Sequence, residues 1–127
     1  MRRLTGGVAA IATLPAVVAA TTTYDIAGAA SGDVVINEIY YHPVDDDPDG
    51  EFLELHNTTS SAIDLNGWCV DEIKFCFTDS APIAAGGFLT LGSPGYEGAL
   101  SNGGEELILL DPNGAEVDVV DYDDKDD

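Results

Sequence analysis

The chain has 127 residues, of which 24 are Asp or Glu and four are Lys or Arg, giving a formal net charge of -20. This length fits one modest domain. Because nucleic-acid affinity comes largely from Lys and Arg that displace counterions from phosphates, the charge argues against direct binding of DNA or RNA. It equally disfavours anionic membranes, unless divalent cations bridge the two surfaces. The composition instead favours cation binding, solubility in high salt, or an acidic extracellular setting.

Residues 1–20, MRRLTGGVAAIATLPAVVAA, have the layout of a secretory signal peptide. Two arginines precede an uncharged run, Gly6 to Ala20, that is too rich in small residues and too short for a membrane span of about 20 apolar residues. Cleavage can follow Ala20 or Ala29, and an uncleaved anchor or an unstructured leader is the alternative. We therefore assign residues 1–30 to a signal peptide and leader. We expect a secreted protein with no membrane span in the mature chain.

Beyond the leader, short apolar runs alternate with turn residues, and no helical periodicity is sustained. This pattern predicts an all-β fold. The predicted strands are Val34 to Tyr41, Glu51 to Asn57, Ala62 to Leu65, two short strands within Trp68 to Phe77, Phe88 to Leu91, Glu106 to Asp111, and Glu116 to Tyr122. The sequence DPNG, at Asp111 to Gly114, places Pro at the first central turn position and so predicts a hairpin between the last two strands.

Alternating apolar residues indicate which faces of the strands are buried. Three strands can each direct a row of side chains toward a common core: Leu53 and Leu55, Leu107 and Leu109, and Val117 and Val119. Two facing sheets would bury these rows. Trp68, the only tryptophan, follows a tight Asn-Gly turn and is predicted to pack between the sheets.

The acidic run DDDPDGE lies between the first two predicted strands. Asp45, Asp47, Asp49 and Gly50 match the first half of the motif D-x-[DN]-x-[DN]-G, in which alternate oxygens converge on one calcium ion. An EF-hand is excluded, because its twelfth position requires a bidentate Glu and is here His56. Calcium binding by the three aspartates in a non-helical loop is therefore a hypothesis. Its alternative is a solvated acidic connection.

The sequence contains no recognisable catalytic motif. Its two histidines, His42 and His56, make a sparse metal-ligand set, and no HExxH spacing, nucleophile elbow, phosphate loop or dinucleotide fingerprint is present. His56 alternates with Phe52 and Glu54 on one face of its strand, which predicts a surface residue rather than a ligand. We therefore predict that the chain is not an enzyme and needs no cofactor other than the hypothetical calcium.

Two cysteines, Cys69 and Cys76, lie within the predicted short strands. An even number in an exported chain favours a disulfide. If WCV and KFCF form a hairpin around Glu72 and Ile73, the two cysteines lie opposite each other. The bridge would then lower the conformational entropy of the unfolded chain and so stabilise the fold by roughly 2.5 kcal/mol. Two buried free thiols are the alternative.

The segments INEI, GEFLELHN, IDLNGW, IAAGGFLTL, LSNGGEELILLD and GAEVDVVDY occur in this order along the chain. Together they resemble the lamin-tail domain family in its secreted prokaryotic form, over roughly Val34 to Asp123. The resemblance implies an immunoglobulin-like β-sandwich, which we assign to residues 31–123, and it does not imply an enzyme. Family members usually continue past the VDY strand with a tryptophan-proline segment and another strand. Residues 124–127 are instead an acidic end, which suggests a piece of a longer protein.

The same resemblance implies a role in interaction. In nuclear lamins the module is an interaction surface, and secreted prokaryotic copies accompany other extracellular domains. We therefore expect a binding or structural module whose partner is an extracellular protein or a cell surface. The alternative is an accessory domain of a secreted phosphoesterase or nuclease whose catalytic part is missing from this chain.

Overall fold

The computed structural model describes residues 29–43, 50–93 and 95–125. These residues form strands, turns and loops without a helix, which confirms the all-β prediction. The strands are β1 (Val34–Tyr40), β2 (Phe52–Asn57), β3 (Ile63–Asp64), β4 (Cys69–Val70), β5 (Phe75–Cys76), β6 (Pro82–Ile83), β7 (Phe88–Gly92), β8 (Gly104–Leu110) and β9 (Glu116–Asp123). The described part of the chain has no helix long and apolar enough to cross a membrane. Residues 1–28 of the predicted signal peptide and leader lie outside the described residues.

The strands pair antiparallel in three sheets. One sheet has the order β9-β8-β4-β5, a second has the order β1-β2-β7, and β3 pairs with β6. Several neighbours are distant in sequence, since β4 pairs with β8 and β7 pairs with β2. Sheets of this kind that enclose a shared core make an immunoglobulin-like sandwich.

The core consists of the inward rows of these strands, together with side chains from the connections. Leu53 and Leu55 of β2 and Leu107 and Leu109 of β8 have no exposed surface. Trp68 retains only 4% of its surface, so its predicted place in the core is confirmed. Along β2 buried and half-buried residues alternate strictly, which leaves one face of the strand directed away from the core.

The strand β9 does not alternate as the sequence suggested. Val117 is buried as predicted, but the prediction for Val119 is wrong, since 42% of its surface is exposed. The register of β9 with β8 shifts within the first three residues of β9. Such a bulge inserts one residue and reverses the alternation beyond it. Val120 therefore packs against the core in place of Val119.

The turn between β8 and β9 confirms the hairpin predicted from DPNG. Gly114 has a positive φ of 80° and donates its N–H to the carbonyl of Asp111 at 2.9 Å. The Asp111 carboxylate is buried, and its Oδ1 accepts from the N–H groups of Asn113 and Ala115, each at 2.9 Å. Both donors offset the cost of burying this charge and hold the turn closed.

Candidate interaction surface

The sheet β1-β2-β7 covers the core with one side and presents the other to solvent. Phe52, Glu54 and His56 of β2 lie on the solvent side, because they alternate with buried residues. The register places Tyr40 and Glu38 of β1 opposite Phe52 and Glu54. It places Thr90 and Phe88 of β7 opposite Glu54 and His56. We call this set the outer face: Glu38, Tyr40, Phe52, Glu54, His56, Phe88 and Thr90.

Two aromatic pairs mark the two ends of the outer face. His56 stacks on Phe88 with ring centroids 4.3 Å apart and an interplanar angle of 10°. Tyr40 packs on Phe52 at 5.3 Å with the rings tilted. Phe88 is 55% exposed and Tyr40 is 37% exposed. The pairs are about 13 Å apart, since Phe52 and His56 are four residues apart at about 3.3 Å per residue. Large apolar rings are therefore offered to solvent at two separate points.

Two carboxylates lie between the aromatic pairs. Glu38 is directly opposite Glu54, and like charges in that position repel each other. Glu54 accepts a hydrogen bond through its Oε1 from the side-chain amide of Asn37 at 3.0 Å. Among the described residues the only salt bridge joins Lys125 to Asp123, at 3.2 Å. Glu38 and Glu54 therefore form no salt bridge with a described residue.

The sequence predicted part of this surface. His56 lies on one face with Phe52 and Glu54, as predicted. Phe88 and Tyr40 were not singled out, although Phe88 alternates with the inward-facing Leu89 and Leu91, and this alternation could have indicated its exposure. Their proximity to His56 and Phe52 depends on the strand register, which a single sequence does not reveal.

The two cysteines form a disulfide, so the predicted bridge is present and the free-thiol alternative is wrong. Cys69 and Cys76 lie opposite each other in β4 and β5, as the predicted hairpin required, and the sulfurs are 2.04 Å apart. Glu72 and Lys74 in the short connection both have positive φ. The bridge therefore closes a strained turn at the edge of the four-stranded sheet, and its role is structural.

A second polar cluster, which the sequence did not indicate, ties the segment before β8 to the sandwich. The Glu51 carboxylate is buried and accepts a hydrogen bond from the N–H of Leu100 at 3.2 Å. The Oε1 of Glu105 accepts from the N–H of Ser101 at 2.6 Å and from the hydroxyl of Tyr122 at 2.9 Å. These contacts fix a loop that is remote in sequence from β2.

Two tyrosines in this cluster are held in their neutral form. Burial raises the pKa of Tyr96 to about 12, and the nearby carboxylates of Glu51 and Glu105 add to this effect. The Glu51 carboxylate is close enough to raise the pKa of Tyr96. The buried hydroxyl of Tyr96 nevertheless forms no hydrogen bond of normal geometry. Burial and the hydrogen bond with Glu105 likewise raise the pKa of Tyr122. The cluster binds a loop in place and contains no pair suited to nucleophilic catalysis.

The predicted calcium ligands Asp45, Asp47 and Asp49 lie outside the described residues, so calcium binding stays a prediction. Within the described residues, no three His, Cys, Asp or Glu side chains are grouped closely enough to hold a metal ion. On the outer face, exposed aromatic rings lie beside two carboxylates that form no salt bridge with a described residue.

A comparison with known protein families assigns this chain to a family. The family model of the Lamin Tail Domain matches residues 27–124. No curated protein sequence matches the chain. The match includes every strand of the described sandwich.

Proposed function

Because the chain belongs to the lamin tail domain family, whose members are generally non-catalytic immunoglobulin-like modules, we propose that it is an exported binding module. Its partner is an extracellular protein or cell-surface component that presents lysine or arginine side chains. The outer face carries this proposal, since it combines exposed aromatic rings with two carboxylates that form no salt bridge with a described residue.

The chemistry of the outer face suits a lysine or arginine side chain of the partner. Glu38 and Glu54 attract the charged group, and their mutual repulsion falls when a cation lies between them. The ring of Phe88, or that of Tyr40 at the other end of the outer face, can cover the apolar stem of this side chain or contact the cation directly, at a gain of about 0.5–1 kcal/mol. Negative charge over the whole chain would also steer a basic partner toward it.

A nuclear magnetic resonance titration of the isotope-labelled protein tests this function. We expect an octalysine peptide to shift the amide signals of Glu54, His56 and Phe88, and an octaglutamate peptide to leave them unchanged. Added salt should weaken the binding, because exposed charges are screened. The proposal is wrong if octalysine binds no more strongly than octaglutamate.

A matched pair of variants locates the binding. The double variant Glu38→Gln with Glu54→Gln removes the cross-strand carboxylate pair of the outer face. The control, Glu106→Gln with Asp121→Asn, removes an equally charged cross-strand pair from the other sheet. Since an exposed ion pair contributes about 0.2–1 kcal/mol and the first variant removes two carboxylates, it should bind octalysine roughly two- to thirtyfold more weakly. Equal weakening in both variants would mean that the attraction is general and does not involve the outer face.

A further inference from the structure

The strand β7 is an open edge of the sheet that carries the outer face. It pairs with β2 on one side, and no described strand lies on its other side. It is five residues long, FLTLG, and contains neither a charge nor a proline. Proteins usually protect an edge of this kind with charges, proline, a bulge or a covering segment, because its unpaired backbone groups can bind another strand.

The hydrogen-bond pattern shows which backbone groups of β7 are free. The N–H of Ser93 donates to the carbonyl of Glu51, and the N–H of Asn57 donates to the carbonyl of Gly87, both at 3.0 Å. Gly87 and Ser93 flank β7, and in an antiparallel pair the residues that bond to the neighbouring strand recur at every second position. The residues of β7 whose backbone groups bond to β2 are therefore Leu89 and Leu91. The backbone N–H and C=O groups of Phe88 and Thr90 point away from β2, and no described residue bonds to them.

The other edges of the two larger sheets are protected. At β1, the N–H of Ile36 donates to the Asp118 carboxylate at 2.8 Å, and nearby the N–H of Gly32 donates to the carbonyl of Val117 at 2.9 Å. The strand β9 thus lies against β1 and carries a bulge and several aspartates of its own. At the remaining edge of the four-stranded sheet, β5 is only two residues long. The strand β7 has none of these protections.

We propose that β7 accepts an extended basic segment of the partner, which adds to the sheet as a further strand. In this mode the backbone supplies the hydrogen bonds, and alternate side chains supply the specificity. The added strand would lie about 10 Å from β2, so its outward lysine or arginine side chains can reach across Thr90 toward Glu54. This inference rests on the proposed function and adds the way in which the partner is bound.

The charge of the chain argues for a basic partner segment and against a second copy. Two copies paired through β7 would bring two outer faces side by side, each carrying Glu38 and Glu54 without a salt bridge to a described residue. Each copy also has a formal net charge of -20. Self-repulsion of this size opposes association, whereas a basic segment is attracted by the same field.

A proline at position 90 tests strand addition on the intact chain. Thr90→Pro removes an N–H that points away from β2, so the pairing of β7 with β2 is kept, and edge strands tolerate proline in this position. The control Thr90→Val keeps the N–H and suits a strand. Ten-residue peptides are first selected on the wild-type protein from a displayed random library. We expect selected peptides to be basic and to bind wild type and Thr90→Val alike, but Thr90→Pro roughly tenfold more weakly or worse.

A second measurement does not depend on the folding of the proline variant. N-methylation of alternate amides in a selected peptide blocks one edge of its backbone without changing its charge. Methylation on one edge should abolish binding to the wild-type protein, and methylation on the other edge should not. Basic peptides that tolerate both methylation patterns and bind Thr90→Pro as well as Thr90→Val overturn strand addition and leave the proposed function standing.

The remaining outcomes separate the two proposals. Selection of neutral or acidic peptides would overturn the proposed function and strand addition by a basic segment together. Dimers of the wild-type protein that are seen by sedimentation at low salt and lost in Thr90→Pro would make a second copy the occupant of β7, which overturns the inference drawn from charge.

Discussion

Removal of the disulfide should destabilise the protein mainly through the unfolded chain. Cys69 and Cys76 are separated by seven positions in sequence, so the bridge closes a loop of about eight residues and contributes about 2.5 kcal/mol on the chain-entropy estimate. Cys76 is exposed and Cys69 is half-buried, so replacement by serine removes little packing. The double variant Cys69→Ser with Cys76→Ser should therefore lose about 2–3 kcal/mol of unfolding free energy, which corresponds to roughly 10–20 °C in Tm for a domain of this size.

Calorimetry with and without a reducing agent measures this loss and supplies its control. The reducing agent should lower the Tm of the wild-type protein toward that of the double variant, and it should leave the double variant unchanged. A loss below about 1 kcal/mol would show that the hairpin is already restricted in the unfolded chain, because the estimate assumes that the unfolded chain is free. An effect of the reducing agent on the double variant would mean that it acts elsewhere.

Calcium at millimolar concentration should raise the Tm of the wild-type protein, whereas sodium at equal ionic strength should not reproduce the increment and Asp47→Asn should abolish it. An equal rise in Tm with calcium for the wild-type protein and Asp47→Asn would exclude a specific calcium site at Asp47. Val117→Ala should cost about 2 kcal/mol in urea unfolding, because Val117 is buried, and Val119→Ala should cost less than about 0.5 kcal/mol. Equal losses would contradict the bulge in β9. Because the folded pKa of Tyr96 is raised to about 12, the stability that it contributes is full below its unfolded pKa of about 10 and is lost as the pH rises through 12. Between about pH 10 and pH 12, the free energy of unfolding in urea should decline less for Tyr96→Phe than for the wild-type protein. An identical decline in both proteins would refute this contribution of Tyr96.

The strands and their local turns could be predicted because their signals are local. Each break contains residues that favour turns, and the DPNG turn is closed by hydrogen bonds that stay within residues 111–115. The pairing of Cys69 with Cys76 followed from the length of one hairpin. Pairings between distant strands, such as β4 with β8 and β2 with β7, have no comparable local signal. They depend on which apolar rows meet across the core.

The error at Val119 shows how a distant contact decides a local ambiguity. The sequence VDVV of β9 can bury either its first and third residues or its first and fourth. The bulge selects the second arrangement. It also leaves the Asp118 carboxylate 2.8 Å from the N–H of Ile36, at a separation of 82 residues along the chain. No property of β9 alone indicates that partner.

The open edge of β7 could not be predicted for the same reason, since it is a property of the whole sheet. The sequence FLTLG indicates a strand but not whether a neighbour lies on each side of it. An apolar open edge normally risks pairing between copies of the same chain. The large acidic excess reduces that risk, because it opposes the approach of identical chains while favouring a basic one. The negative charge that disfavours nucleic-acid binding thus allows β7 to remain an unprotected edge beside the outer face. The same charge restricts the strands that can pair with β7 to basic ones.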